Sequence, residues 1–126
     1  MLILDTCGLL WLSSDQSKLS QQTLTKINKA NIVYISAITA FEIGIKCRSG
    51  KLLLPVPPSE WMTAVLKHHN VSVIPLNLEI NIKSTELPLI HKDPCDRFII
   101  ATALLYSYPV ITTDKRFTEY GVRIFN

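Results

Sequence analysis

With 126 residues, 48% of them hydrophobic and only 18% charged, the chain is the size of one well-cored domain that buries about two thirds of its unfolded surface. Its polar coat is thin enough to predict an exposed apolar patch covered by a partner, and its net charge of +3, from 13 basic and 10 acidic residues, argues only weakly for a polyanionic one. Three cysteines (Cys7, Cys47 and Cys95), odd in number and without a CxxC pair, exclude a disulfide framework and a zinc site and read as free thiols in a reducing compartment.

In chain order, "MLILD" is a short apolar run ending on an aspartate, which reads as a buried strand. It lacks a basic leader and Asp5 interrupts it, so it reads as neither a signal peptide nor a membrane span, and a cytoplasmic protein is expected. A short helix "TCGLLWLS" follows, then a second helix from about Ser20 to Ala30 with Leu24 and Ile27 on one side. "IVYIS" is β-branched and aromatic, hence a strand. "ITAFEIGIKCRSG" repeats Ile38, Phe41 and Ile45 at helical spacing and offers Gly50 as its stop. The proline-broken "LLLPVPPSE" leads to a helix over 59–70, "VSVIP" is a third strand, and a helix over 78–87 precedes an apolar helix over 94–107. "PVITTD" is a fourth strand and "VRIF" a fifth. Strands alternating with helical patterns predict an α/β domain with a parallel sheet. There is no repeat, low-complexity segment or linker, so a single domain over 1–126 is expected.

Four carboxylates stand out, each with an ordinary structural explanation. Asp5 and Asp114 follow strands and would cap the helices after them. Glu42 and Lys46 are spaced for an ion pair on a helix surface, worth about 0.3–0.5 kcal/mol. Asp93 before Pro94 is a good helix N-cap, but Asp96 shares a helical face with Ile100 and Ala103 and needs a counter-charge if that face is buried. In an open parallel sheet, ligands bind at the carboxyl ends of the strands, where the strand order reverses. With the order 3-2-1-4-5, Asp5 and Asp114 would sit side by side, about 5 Å apart, and one would hold a proton unless a cation intervened. Protein cations (Arg97, Lys115, Arg116) are available, although Arg97 projects about 100° around the helix from Asp96. An all-oxygen donor set suits Mg²⁺ or Mn²⁺ equally well.

The stretches "LILDTCGLLWL", "ISAITAFEIGIKCRSGKLLLP", "HKDPCDRFIIATAL" and "VITTDKRFTEYGV" run in the order found in a known family and cover nearly the whole chain. In these the chain resembles the PIN-domain ribonucleases, and most closely the VapC-type toxins of bacterial toxin–antitoxin pairs. The resemblance implies a three-layer α/β/α fold with a central parallel sheet of four to five strands. It also implies an acidic metal site of Asp5, Glu42, Asp96 and Asp114, with Mg²⁺ or Mn²⁺ as cofactor. Thr6, Asp93 and Thr113 are its neighbours, Asp93 chiefly as a cap and the threonines chiefly as turn hydroxyls. Cys7 stands where relatives carry Asn or His, and Cys95 where they carry Phe; neither change removes a carboxylate.

The expected activity is metal-dependent endoribonuclease cleavage without a histidine base. His91 is expected to orient its loop or stay solvated, and His68 and His69 to be a surface pair at a helix end. Lys46, Arg97, Lys115 and Arg116, with Arg48, Lys51 and Lys92, are candidates to guide an RNA backbone or simply a charged surface. The resemblance further implies a homodimer neutralised by an antitoxin, and Trp11, Phe41, Ile45 and Trp61 are either part of such an interface or core. Two alternatives stand beside this reading: a catalytically idle PIN-like interaction module, and a receiver-type phospho-acceptor domain. The latter lacks the aspartate it would need after "VSVI" and the second acid it would need near Asp5.

Overall fold

The computed structural model describes all residues from 1 to 126. Five strands, β1 (Leu2–Leu4), β2 (Val33–Ser36), β3 (Val71–Ile74), β4 (Val110–Ile111) and β5 (Ile124–Phe125), form one parallel sheet in the order β3-β2-β1-β4-β5. This is the order expected, and it removes the receiver alternative, whose third strand lies inside the sheet rather than at its edge. Six α-helices connect and cover it: α1 (Thr6–Ser14), α2 (Gln21–Lys29), α3 (Ile38–Arg48), α4 (Pro58–His68), α5 (Leu78–Glu86) and α6 (Pro94–Tyr106). The last two strands are shorter than expected, since only Val110–Ile111 and Ile124–Phe125 pair along the ladder.

Side chains of successive strand residues point to opposite faces, so the sheet divides the core in two. Leu2, Leu4, Val33, Ile35 and Ile111 pack with Leu9 and Leu12 of α1, Ile27 of α2 and Trp61 of α4. Ile3 and Val110 face the other way, onto Ile80 of α5 and Ile99 and Ile100 of α6. The result is the three-layer sandwich. Helix α3 contributes Ile43 to the first core and Ile38 to the second, and it touches α1, α4 and α6. It therefore bridges the layers and carries Glu42 to the edge where the strands end.

Local chemistry sets the helix starts. Asp5, Ser20, Asn77 and Asp93 each accept a backbone N–H of the following turn, and Pro58 and Pro94 occupy first-turn positions. Gly50, with φ +77°, follows the end of α3. Two expectations about surfaces are corrected or sharpened. Trp61 is core, not interface. Phe41 and Ile45 are 57% and 50% exposed, so the apolar spacing on α3 marks an outward face, while Ile38, Thr39 and Ile43 are its buried residues. No helix is long and apolar enough to cross a membrane.

Candidate active site

Each of the four carboxylates arrives by a different route. Asp5 leaves β1 and caps α1: its Oδ1 accepts the Gly8 N–H at 2.7 Å. Glu42 hangs from α3, where Oε1 accepts the Thr6 hydroxyl at 2.7 Å and Oε2 meets Lys46 Nζ at 2.9 Å. Asp96 lies in the first turn of α6, behind the Asp93 cap. Asp114 follows β4 and accepts four hydrogen bonds: Arg116 N–H and Nε at Oδ1, and Arg116 Nη2 at 2.7 Å and His91 Nε2 at 2.9 Å at Oδ2.

These groups feel one another. Burial pushes the Asp5 carboxyl above its ordinary range, with hydrogen bonds from Thr112 and Gly8 opposing and the charges of Glu42 and Asp114 adding to the rise. Burial likewise lifts Asp96 to about 7; Asp93, Glu42 and Asp5 reinforce the rise and His91 opposes it. Asp114 moves the other way, because the Arg116 guanidinium holds it well below the usual carboxylate range. The pattern follows the cations. Glu42 and Asp114 have Lys46 and Arg116, whereas Asp5 and Asp96 pair with no lysine or arginine. Asp5 and Asp96, the two acids without a lysine or arginine partner, are both pushed upward, chiefly by burial. An all-carboxylate donor set short of positive charge is what a hard divalent cation suits, so the residues present fit the metal that the sequence implies.

Register corrects the expected neighbour of Asp5. Leu4 pairs with Ile111, so the residue opposite Asp5 is Thr112, and Asp114 lies two residues further along. Thr112 is buried, hydrogen-bonds to Asp5 and accepts the Asp114 N–H at 3.1 Å. It takes the place expected of Thr113, whose side chain is exposed. Thr6 is the hydroxyl neighbour anticipated, donating to a carboxylate rather than to backbone.

Arg97 is also corrected. It is buried, and its guanidinium donates to the carbonyls of Ser84 at 2.9 Å, Leu87 at 2.7 Å, Pro88 at 2.9 Å and His91 at 3.1 Å. No face remains for RNA. Pro88 has no N–H, so the Ser84 carbonyl loses its helical partner, and the cation at the end of α5 replaces it. Lys115 and Arg116 remain on the surface, Arg116 at 54% exposure even while paired.

His91 is neither solvated nor peripheral. It is 2% exposed, and Nε2 lies 2.9 Å from Asp114 Oδ2 and 3.0 Å from Asp96 Oδ2. The sequence suggested only a loop-orienting or solvated histidine; the available signal was a lone histidine two residues before the Asp93 cap, on a loop that must run back beside Asp114. Gly8 was missed as well. A Cβ there would stand 3.1 Å from Asp5 Oδ1 and 3.2 Å from the Ile111 carbonyl, so the close turn onto β4 favours glycine.

Comparison with known proteins identifies the family. Residues 2–122 match the PIN domain family model. The chain is 25% identical over 119 residues to Ribonuclease VapC22 of Mycobacterium tuberculosis (strain ATCC 25618 / H37Rv), covering 94% of this chain and 90% of that protein. Among solved structures, FitAcB from Neisseria gonorrhoeae superposes with a TM-score of 0.68 at 21% identity, covering 100% of this chain and 97% of that one. VapBC2 from Rickettsia felis, bound to a promoter DNA fragment, gives 0.71 at 15%, covering 100% and 98%. With a sheet of this order and the family model matched over nearly its full length, the chain belongs to the PIN domain family.

Proposed function

We propose that this protein is an endoribonuclease that hydrolyses RNA phosphodiester bonds at the Asp5–Glu42–Asp96–Asp114 site with Mg²⁺ or Mn²⁺, and that it is the toxin of a toxin–antitoxin pair. The observation that carries the reading is the convergence of Asp5, Glu42, Asp96 and Asp114 at the carboxyl edge of the sheet, where Asp5 and Asp96 have no lysine or arginine partner. A relative named as a ribonuclease and a structural neighbour solved as a toxin–antitoxin complex from Klebsiella pneumoniae support the substrate class and the partner.

Asp5, Glu42, Asp96 and Asp114 would hold the cation, which when bound lowers the pKa of water and steadies negative charge on phosphate oxygens. The chain's own residues prepare the place. Gly8 and Thr112 fix Asp5, Thr6 fixes Glu42, and Asp93 keeps the start of α6 in register. Lys46, Lys115 and Arg116 at the rim offer charge to an RNA backbone. Phe41 and Ile45 flank Glu42 on the exposed face of α3 and suit an antitoxin segment; a homodimer is part of the same reading.

The test is Mn²⁺-stimulated RNA cleavage by the wild type, Asp5→Asn and Asp96→Asn, with Mn²⁺ binding followed by calorimetry. Both variants are expected to keep the circular dichroism of the wild type and to lose at least about 10²-fold in rate. Undiminished cleavage by Asp96→Asn would refute the assignment, and Mn²⁺ binding without cleavage by the wild type would favour an idle module.

A further inference from the structure

The His91 side chain touches two of the four acids, and its hydrogen bonds determine which of its nitrogens carries the proton. Nδ1 accepts the backbone N–H of Asp93 at 3.1 Å. A nitrogen receiving a hydrogen bond has its lone pair directed at the donor, so the ring proton sits on Nε2. Nε2 in turn faces Asp114 Oδ2 at 2.9 Å and Asp96 Oδ2 at 3.0 Å. One N–H is therefore shared between two carboxylates.

The loop that carries the ring is held from three sides. The Tyr120 hydroxyl accepts the His91 N–H at 2.8 Å and the Ile90 N–H at 3.2 Å, and donates to the Pro88 carbonyl at 2.6 Å. Arg97 Nη1 donates to the His91 carbonyl at 3.1 Å. The Phe117 ring stands edge-on to the imidazole, with centroids 6.1 Å apart. Neither the ring nor its backbone is free to turn without breaking several of these contacts.

His91, Asp96 and Asp114 offer ligand atoms within 4.8 Å of one another, a spacing that also suits three ligands of one ion. The tautomer argues against that use. To coordinate through Nε2 the ring would have to move its proton to Nδ1, placing an N–H against the Asp93 N–H.

Resting on the reading of Asp96 and Asp114 as members of the acidic site, we propose that His91 is a positioning residue that gathers their carboxylates on a single Nε2–H and neither ligates the cation nor acts as a base. The N–H draws the Oδ2 atoms of two acids together without adding a formal charge, and it engages only one oxygen of each. Metal-site residues in contact with such a donor gain a fixed orientation, and losing it lowers metal affinity by about 10–100-fold.

The first measurement is a two-bond ¹H–¹⁵N correlation spectrum of the ¹⁵N-histidine-labelled full chain, without metal and saturated with Mg²⁺. A His91 pattern with Nε2 protonated and Nδ1 bare, kept under Mg²⁺, is expected; Nδ1–H, or an Nε2 stripped of its proton by Mg²⁺, would overturn the proposal. The second is Mn²⁺ calorimetry of His91→Leu and His91→Gln. His91→Leu should bind Mn²⁺ about 10–100-fold more weakly, while His91→Gln, which keeps an N–H donor, should retain most of the affinity. Unchanged binding by His91→Leu, or equal loss in both variants, would count against it. Should His91→Leu fail to fold, the tautomer of the unmutated chain decides. A wild type that binds no Mn²⁺ would remove the reading of the acidic site itself, whereas the wrong tautomer in a wild type that does bind would remove only the role of His91.

Discussion

Replacing Arg97 with leucine removes a cation that serves four carbonyls and no carboxylate. The Pro88 carbonyl keeps its bond from the Tyr120 hydroxyl, but Ser84, Leu87 and His91 are left without a backbone donor: Pro88 cannot supply one to Ser84, and none reaches the other two. A buried acceptor stripped of its partner costs about 1–3 kcal/mol. Three of them, with partial hydration at the ends of the loop, give an expected destabilisation of about 3–5 kcal/mol, against about 5–15 kcal/mol for a whole domain. Arg97→Lys should fall between, since an ammonium carries three donors on one point and cannot span carbonyls set around a planar fork. Urea unfolding followed by circular dichroism reads the difference directly, provided the slope of the transition is unchanged. A loss under 1 kcal/mol in Arg97→Leu, accompanied by weaker RNA binding, would sink this reasoning and return Arg97 to the nucleic-acid surface.

The pH dependence of the metal-free protein has a definite sign. Asp5 and Asp96 are raised in the folded state, so the stability they contribute is present below the ordinary carboxylate pKa and lost as pH rises through about 7 for Asp96. For Asp96 the rise from 3.8 corresponds to about 4 kcal/mol at most and, with its side chain 23% exposed, to roughly half that after solvent screening. Asp114, held low, stays ionised in the folded state and opposes this slope only at the acid end of the window, where the unfolded chain begins to take up its proton; its contribution is lost as the pH falls further. Urea midpoints should therefore fall between pH 4 and pH 8 and recover on adding Mn²⁺; a midpoint that climbs instead would show that Asp96 is paired. In Arg116→Gln, ¹³C-detected titration should find the Asp114 carboxyl back near its ordinary range and calorimetry should find tighter Mn²⁺ binding, because two oxygens are released from the guanidinium; no change in either would mean the ion pair is absent in solution. Gly8→Ala should cut RNA cleavage by about tenfold or more through displacement of Asp5, while helix propensity offsets part of any stability loss; wild-type cleavage would show that the turn has slack.

What the sequence made legible was whatever rests on local chemistry or long periodicity. The Asp93–Pro94 start of α6, the short apolar run of β1 and the placement of Asp5 and Asp114 after strands all follow from neighbouring residues. The misses share a different cause. A strand of two residues, Val110 and Ile111, has no period to read, so which of Thr112 and Thr113 faces Asp5 depended on register with β1. Arg97 looked like surface because arginine usually is, and its burial is set by a proline nine residues earlier that leaves a helix end without its N–H. On α3 the spacing grouped Ile38 with Phe41 and Ile45, yet Ile38 is buried and the other two are exposed, because periodicity cannot tell a face turned to the core from one left for a partner.

The donors that hold the acids also differ in exposure. Lys46 and Arg116, 37% and 54% exposed, hold Glu42 and Asp114 from the solvent side, where ion pairs are weak and screened by salt. His91, buried and pinned through both its backbone and its ring, holds Asp96 and Asp114 from within. An arriving cation or phosphate would have to compete with these two outer cations, while the inner donor keeps the carboxylates in place. Were the arrangement reversed, with an arginine buried where His91 stands, its fixed charge would satisfy the acids permanently and oppose any second cation. With a neutral donor inside and cations only at the exposed rim, Asp5 and Asp96 are left without a cationic partner, and burial pushes both carboxyls above their ordinary range.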